Sequence, residues 1–198
     1  MATNYVLIDF ENVQPRNLEL LTKHPFQVYV FVGASQTKVS FDLADSMQLL
    51  GNNAKYIKIS GNGQNALDFH IACYVGELAA KDPDGRFYIV SKDKGFDPLI
   101  DHLAKRKIRV QRVKDLVQIP ILRVSSKTSS DKKIAAIVKN LGGRGQSRPR
   151  KVRTLENTIN TLFTEKLDKR ELASLIKELQ ERKLIVVNKG NVSYKLAH

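Results

Sequence analysis

The stretch NYVLIDFENVQP, residues 4–15, decides how this chain is read. An apolar run, Val6-Leu7-Ile8, delivers Asp9, Glu11 and Asn12 in quick succession, and Pro15 follows as a good first-turn residue for a helix. Two readings of the strand end stand side by side. Asp9 and Asn12 cap the next element, or they form one wall of a ligand site. The rest of the chain weighs between them.

Beyond this stretch, β-rich runs at 4–9, 27–33, 54–60, 86–91 and 108–113 alternate with segments of helical spacing. Leu18, Leu20 and Leu21 predict a helix after Pro15. Leu43, Met47 and Leu50 predict one over 40–50 that stops at Gly51. Leu67, Ile71, Tyr74, Val75 and Leu78 mark the longest, 65–81, with Phe69 taken as part of its buried face. Leu99, Ile100 and Leu103 mark 96–106. Strict strand–helix alternation with consecutively apolar strands predicts a Rossmann-like α/β/α sandwich around a central parallel sheet. This domain is expected over residues 1–123.

The pattern breaks after Pro120. Residues 124–130 (VSSKTSS) read as a polar linker and 131–198 as a second, small α+β domain. Helices are expected at 131–141, from Thr154 to about 166, and at 169–183 behind a capping box of Asp168 and Glu171. A hairpin closes the chain, turning at Asn188-Lys189-Gly190-Asn191. Three short helices and a hairpin is the element order of a winged helix.

Charge divides the same way. The chain has 33 Lys and Arg against 20 Asp and Glu, a net of +13. Residues 1–123 carry 16 basic and 13 acidic side chains, whereas 124–198 carry 17 and 7. A small region so cationic attracts polyanions, because each neutralised phosphate releases condensed counterions. No run approaches 18 apolar residues, the N-terminus lacks a secretory pattern, and the lone Cys73 has no internal disulfide partner. The expectation is a cytoplasmic protein without membrane contact, with Cys73 in the core.

In an open parallel sheet, ligands bind outside the carboxyl ends of the strands, near the point where strand order reverses. After the first predicted strand come Asp9, Glu11 and Asn12; after the second, Gly33, Ser35, Gln36 and Lys38. After the third comes Gly61-Asn62-Gly63-Gln64-Asn65, with Asp68 in the next helical turn. After the fourth come Ser91, Lys92, Asp93, Lys94, Gly95 and Asp97. Asp9, Asp68 and Asp93 thus converge from three strand ends, and Asp97 lies one helical turn beyond Asp93. Clustered carboxylates repel unless a hard dication neutralises them, and Mg²⁺ or Mn²⁺ prefers such oxygen ligands. The residue types suit metal-assisted phosphodiester hydrolysis. His70 reads as a packed histidine; His24, His102 and His198 are scattered, and no Cys/His spacing suggests zinc. The Gly61–Asn65 loop has a dinucleotide-loop look, but Ala66 stands at the third glycine and the loop follows the wrong strand.

The segments VLIDFENV (6–13), NALDFHIACYVGEL (65–78) and VSKDKGFDPLIDHL (90–103) together resemble the three motifs of the NYN branch of PIN-like ribonucleases. The resemblance spans residues 4 to about 115. It implies a divalent-metal-dependent endoribonuclease with Mg²⁺ or Mn²⁺ held by Asp9, Asp68 and Asp93 and ordered by Asn12. Where the motif carries its next acid this chain has Gly95, and Asp97 is the candidate replacement. RNA is the implied substrate, with DNA open. Ser35, Gln36, Lys38, Ser91, Lys92 and Lys94 are candidate strand contacts beside the acids. The C-terminal region resembles winged-helix modules only in element order. There Arg144, Arg148, Arg150, Lys151, Arg153 and Lys189 are the candidate phosphate contacts. Packing on the first domain or homodimerisation is the alternative role. A catalytically degenerate nucleic-acid-binding protein is the alternative function.

Overall fold

The computed structural model describes residues 2–15 and 18–196. His198 lies outside that range. Two compact units divide between Ile119 and Pro120.

The first unit is built on five parallel strands: β1 (Asn4–Asp9), β2 (Phe26–Val32), β3 (Ala54–Lys58), β4 (Arg86–Val90) and β5 (Arg109–Val113). Their order across the sheet is β3-β2-β1-β4-β5. The chain winds outward from β1 through β2 to β3, then crosses back to place β4 on the other side of β1. Strand order therefore reverses between β1 and β4, so the crevice at their carboxyl ends is where a ligand belongs. Val6, Leu7 and Ile8 of the central strand are fully buried, as a strand covered on both faces requires. Register pairs Ile8 with Val30 on one side and with Val90 on the other.

The intervening helices are α1 (Phe41–Leu50), α2 (Ala66–Lys81) and α3 (Asp97–Lys105). Ser40 caps α1 by accepting from the Leu43 amide, and Gly51 ends it at φ +55°. Leu67, Ile71, Val75 and Ala79 of α2 join Leu7, Phe31, Phe87 and Ile89 in the core. Two expectations fail. The segment after Pro15 forms only a 3₁₀ turn over Leu18–Lys23, in which Leu18 and Leu21 are buried. A three-residue spacing of buried leucines suits that tighter helix. Phe69, expected inside, is 70% exposed, because its neighbours Leu67 and Ile71 take the inward face of α2.

The second unit holds α4 (Ser130–Gly142), α5 (Val152–Thr161), α6 (Lys169–Glu181) and the antiparallel hairpin of β6 (Ile185–Asn188) and β7 (Asn191–Tyr194). Helix α5 starts at Val152 rather than Thr154 and ends five residues short of 166. Past Thr161 the backbone leaves the helix to bond with Val124. The Val124 amide donates to Leu162 O (2.8 Å) and the Thr164 amide to Val124 O (3.0 Å). Residues 124–126, read above as linker, are thereby tied to this unit. Asp168 caps α6 through the Glu171 amide at 2.8 Å. Lys189 and Gly190 both adopt positive φ, +46° and +76°, as a two-residue hairpin turn demands. Lys151 makes a single antiparallel bridge to Asn191 at the start of β7. Among the described residues no helix is long and apolar enough to cross a membrane.

Since the Asp168 carboxylate satisfies one of the otherwise unpaired amides of α6, Asp168→Ala lowers the stability of the second unit by about 1 kcal/mol. Urea denaturation followed by circular dichroism measures the loss.

Candidate active site and nucleic-acid interface

Asp9 closes β1 with no exposed surface. A buried carboxylate is tolerated only when its oxygens are bonded, and three donors meet this one. The Asn12 amide donates to Oδ1 (3.1 Å), and Asn12 Nδ2 (2.7 Å) and Ser91 Oγ (2.7 Å) donate to Oδ2. Asn12 therefore orients Asp9. Ser91, also fully buried, accepts from the Asp93 amide at 3.0 Å as well. It links the ends of β1 and β4 and sets the start of the loop that carries Asp93. Its expected role as a strand contact is replaced by this internal one.

Asp93 Oδ1 accepts from the Gly95 amide at 2.8 Å and caps the 3₁₀ turn Lys94–Phe96. A Cβ on Gly95 would stand 3.3 Å from that same oxygen, so the residue occupying the motif's acidic position presses close to Asp93. Asp68 lies in the first turn of α2, half-buried. Burial and then the charges of Asp9, Asp93 and Glu11 push its carboxyl up to about 6. All of the charges acting on it are acidic, and they come from two strand ends, Asp9 and Glu11 after β1 and Asp93 after β4.

Two residues exchange places relative to expectation. Asp97 is gripped bidentately by Arg112, with Nε 2.7 Å from Oδ1 and Nη2 3.0 Å from Oδ2. The guanidinium holds the Asp97 carboxyl below its usual range, and Asp97 is not among the charges acting on Asp68. It forms a structural ion pair with β5 in place of the expected fourth ligand. Glu11, which the sequence left out of the site, enters it. Its carboxylate lies over Gly33, where an added Cβ would come within 1.7 Å of Oε1. The signal was present in the sequence, since Glu11 stands two residues from Asp9 and Gly33 directly follows the neighbouring strand β2. Only tertiary packing puts them together.

The remaining candidates divide by exposure. Gln36 braces its own loop, accepting from the Gly33 amide at 2.9 Å and donating to Phe10 O at 3.4 Å. Lys58 reinforces the loop by donating to Gly33 O at 2.6 Å and to Gln36 O. Gln36 is thus a structural residue here. Ser35, Lys38, Lys92 and Lys94 are exposed around the crevice. His70 Nδ1 faces Ala66 O of its own helix at 2.7 Å. Cys73, expected in the core, is exposed, because α2 turns it outward one turn beyond Phe69. Among the described residues, no three His, Cys, Asp or Glu side chains are grouped closely enough to enclose an ion by themselves.

In the second unit, Arg148 donates to Leu141 O (2.8 Å) and Gly142 O (3.3 Å) and lies over the Tyr194 ring at 5.6 Å. It ties down the carboxyl end of α4, where carbonyls lack partners. That use replaces its expected phosphate contact. Arg144 Nε donates to Asn140 Oδ1 at 2.8 Å. Arg150, Lys151, Arg153 and Lys189 are exposed. Backbone bonds hold residues 150–152 beside the hairpin turn that carries Lys189, since Val192 N donates to Arg150 O (3.0 Å) and Val152 N to Gly190 O (3.1 Å). Lys169, Arg170 and Lys177 on α6 are also exposed and were not singled out by the sequence.

Among family models, that of the PIN domain matches residues 3–113. No curated protein and no solved structure matches the chain.

Two outcomes follow from the carboxylate chemistry. Ser91→Ala strips a donor from a desolvated carboxylate and lowers stability by about 1–3 kcal/mol, read from the denaturation midpoint. For Asp68 the folded-state pKa exceeds the unfolded one, so stability falls as pH rises from about 4 to about 6 and stays at the lower level above. In chelator-treated protein, Asp68→Asn is therefore more stable than wild type at pH 7.5, by about 1 kcal/mol after solvent screening, and the gain disappears at pH 4.

Proposed function

This chain belongs to the PIN-domain family, a family of generally nuclease-type domains that typically use divalent metal ions, and from that premise we propose that it is a metal-dependent endoribonuclease. The observation that carries the reading is the fully buried, triply bonded Asp9 at the β1/β4 switch point, facing Asp68 and Asp93. The sequence segments 6–13, 65–78 and 90–103 favour the NYN branch.

The donor set fits a hard dication. It consists of oxygens only, and the charges acting on Asp68 are all negative. Mg²⁺ is commonly held by one or two carboxylates together with substrate phosphate and its own waters, so three enclosing side chains are not required. Asp9, Asp68 and Asp93 would hold Mg²⁺ or Mn²⁺, with Glu11 adding negative charge beside them. Such an ion, when bound, supplies Lewis acidity and an activated water. The chain's own residues do the positioning. Asn12 and Ser91 fix Asp9, and Ser91 with the Gly95 amide fixes Asp93. Lys38, Lys92 and Lys94 follow the strand ends and are exposed, which supports giving them the phosphate-backbone contacts in this reading.

For the second unit we propose a winged-helix reading, supported by the order α4, α5, α6, hairpin and by the single Lys151–Asn191 bridge beside the hairpin. Arg150, Lys151, Arg153 and Lys189 then supply salt-dependent affinity for nucleic acid. A second reading, a degenerate nuclease that only binds, is favoured by one feature. Gly95 replaces an acid and Asp97 is bound to Arg112.

The test is cleavage of labelled single-stranded RNA, with DNA alongside, in Mn²⁺. Wild type cleaves RNA, and Asp9→Asn and Asp93→Asn reduce the rate at least 100-fold, the scale at which losing one positioned catalytic group is felt. Undiminished cleavage by both variants removes the site assignment, and an inert wild type favours the binding-only reading. Mn²⁺ also raises the melting temperature of wild type but not of Asp9→Asn.

A further inference from the structure

Asp68 has an unexpected neighbour. Phe69 is 70% exposed, although Leu67 and Ile71 on the same helix are 3% and 0% exposed. A large ring in water beside a carboxylate is an uncommon use of phenylalanine. The loop that leads into it, Gly61 to Asn65, carries three carboxamides, Asn62, Gln64 and Asn65, all exposed and without hydrogen-bond partners among the described residues. Asn65 sits at the helix start with φ +61° and ψ +15°, and its side chain makes no capping bond. Its carbonyl receives the Phe69 amide at 3.1 Å, so the two residues are one turn apart. The other exposed phenylalanine, Phe41, opens α1 directly after the β2 loop. In a parallel sheet both helix starts lie at the carboxyl edge, the edge of the acidic crevice.

We propose that Phe69 and the Asn62–Asn65 loop form a subsite for an unpaired nucleobase next to the cleavage crevice. The ring offers a stacking face to a base of any identity. The carboxamides present both donors and acceptors to its edge, the pattern used on splayed single strands. A paired base offers no free face to Phe69, so the subsite selects single-stranded substrate. A protein partner would be met by apolar neighbours around Phe69 on the loop side; this loop offers amides and glycines instead. The placement beside the scissile phosphate rests on the nuclease reading above, but stacking itself does not depend on cleavage.

The test is therefore made with chelator present and the full chain. Wild type, Phe69→Ala, Phe69→Leu and Phe69→Trp are titrated with a single-stranded oligoribonucleotide containing 2-aminopurine, with the same strand made abasic at that position, and with its duplex. Phe69→Ala and Phe69→Leu weaken binding of the base-containing strand roughly 5- to 150-fold and abolish quenching of 2-aminopurine. Phe69→Trp retains both, and the abasic strand and the duplex bind all four proteins alike. An equal loss on the abasic strand, no loss at all, or a change in oligomeric state without a change in quenching overturns the subsite. The last result would identify this face of α2 as a contact between copies. Failure of the nuclease reading is seen separately: Phe69-dependent quenching without Mn²⁺-dependent cleavage leaves the base subsite standing and removes the enzyme.

Discussion

The carboxylate of Asp9, buried completely at the end of the central strand, is the constraint on which the first unit depends. An ionised group without water is tolerable only if donors surround it, and here they arrive from two directions. Asn12 supplies two bonds from the turn that follows β1, and Ser91 supplies the third from the end of β4. The same serine hydroxyl accepts from Asp93. One buried charge thus fixes the relation of two strands at the place where the sheet reverses its winding order. It also positions the loop that bears the second acid.

Crowding of negative charge is the cost of that arrangement, and the chain limits it. Asp97, which would add a further acid, is bound to Arg112. Gly95 leaves the Asp93 carboxylate free to accept from the backbone. Glu11 is admitted because Gly33 has no side chain to displace it, and its charge reaches Asp68. Burial and these acidic neighbours push the Asp68 carboxyl up to about 6, so the cluster carries its negative charge at a cost to the folded state. Beneath this unfavourable cluster Leu7, Ile8, Phe31, Ile89 and Val90 are fully buried, and they hold the strand ends in place.

Much of this was legible in advance for a physical reason. Strand–helix alternation is a local pattern, and right-handed parallel winding turns that pattern into a sheet whose carboxyl ends share one crevice. Asp9, Asn12, Asp68 and Asp93 could therefore be picked by position alone. The errors share a cause as well. Ser91, Gln36 and Arg148 were judged by polarity, and polarity does not say whether a side chain meets solvent or an unpaired backbone group. Phe69 and Cys73 were judged by apolarity, although the spacing of Leu67, Ile71, Tyr74 and Val75 puts both positions off the buried face of the helix.

The sequence by itself determined the five parallel strands, the helices α1, α2 and α3 between them, the concentration of positive charge after residue 123 and the positions of Asp9, Asp68 and Asp93 near the strand ends. Each of these depends on residue type and spacing along the chain. Tertiary structure alone decided that Arg112 would hold Asp97 from 15 residues away, that Glu11 would lie over Gly33, and that Lys151 would pair with Asn191 beside the hairpin turn. Those outcomes are long-range choices of partner, settled by which strands become neighbours. The opening stretch NYVLIDFENVQP holds both kinds of information: Asp9 and Asn12 make a local bond that spacing foretells, while Ser91 reaches them only across the sheet.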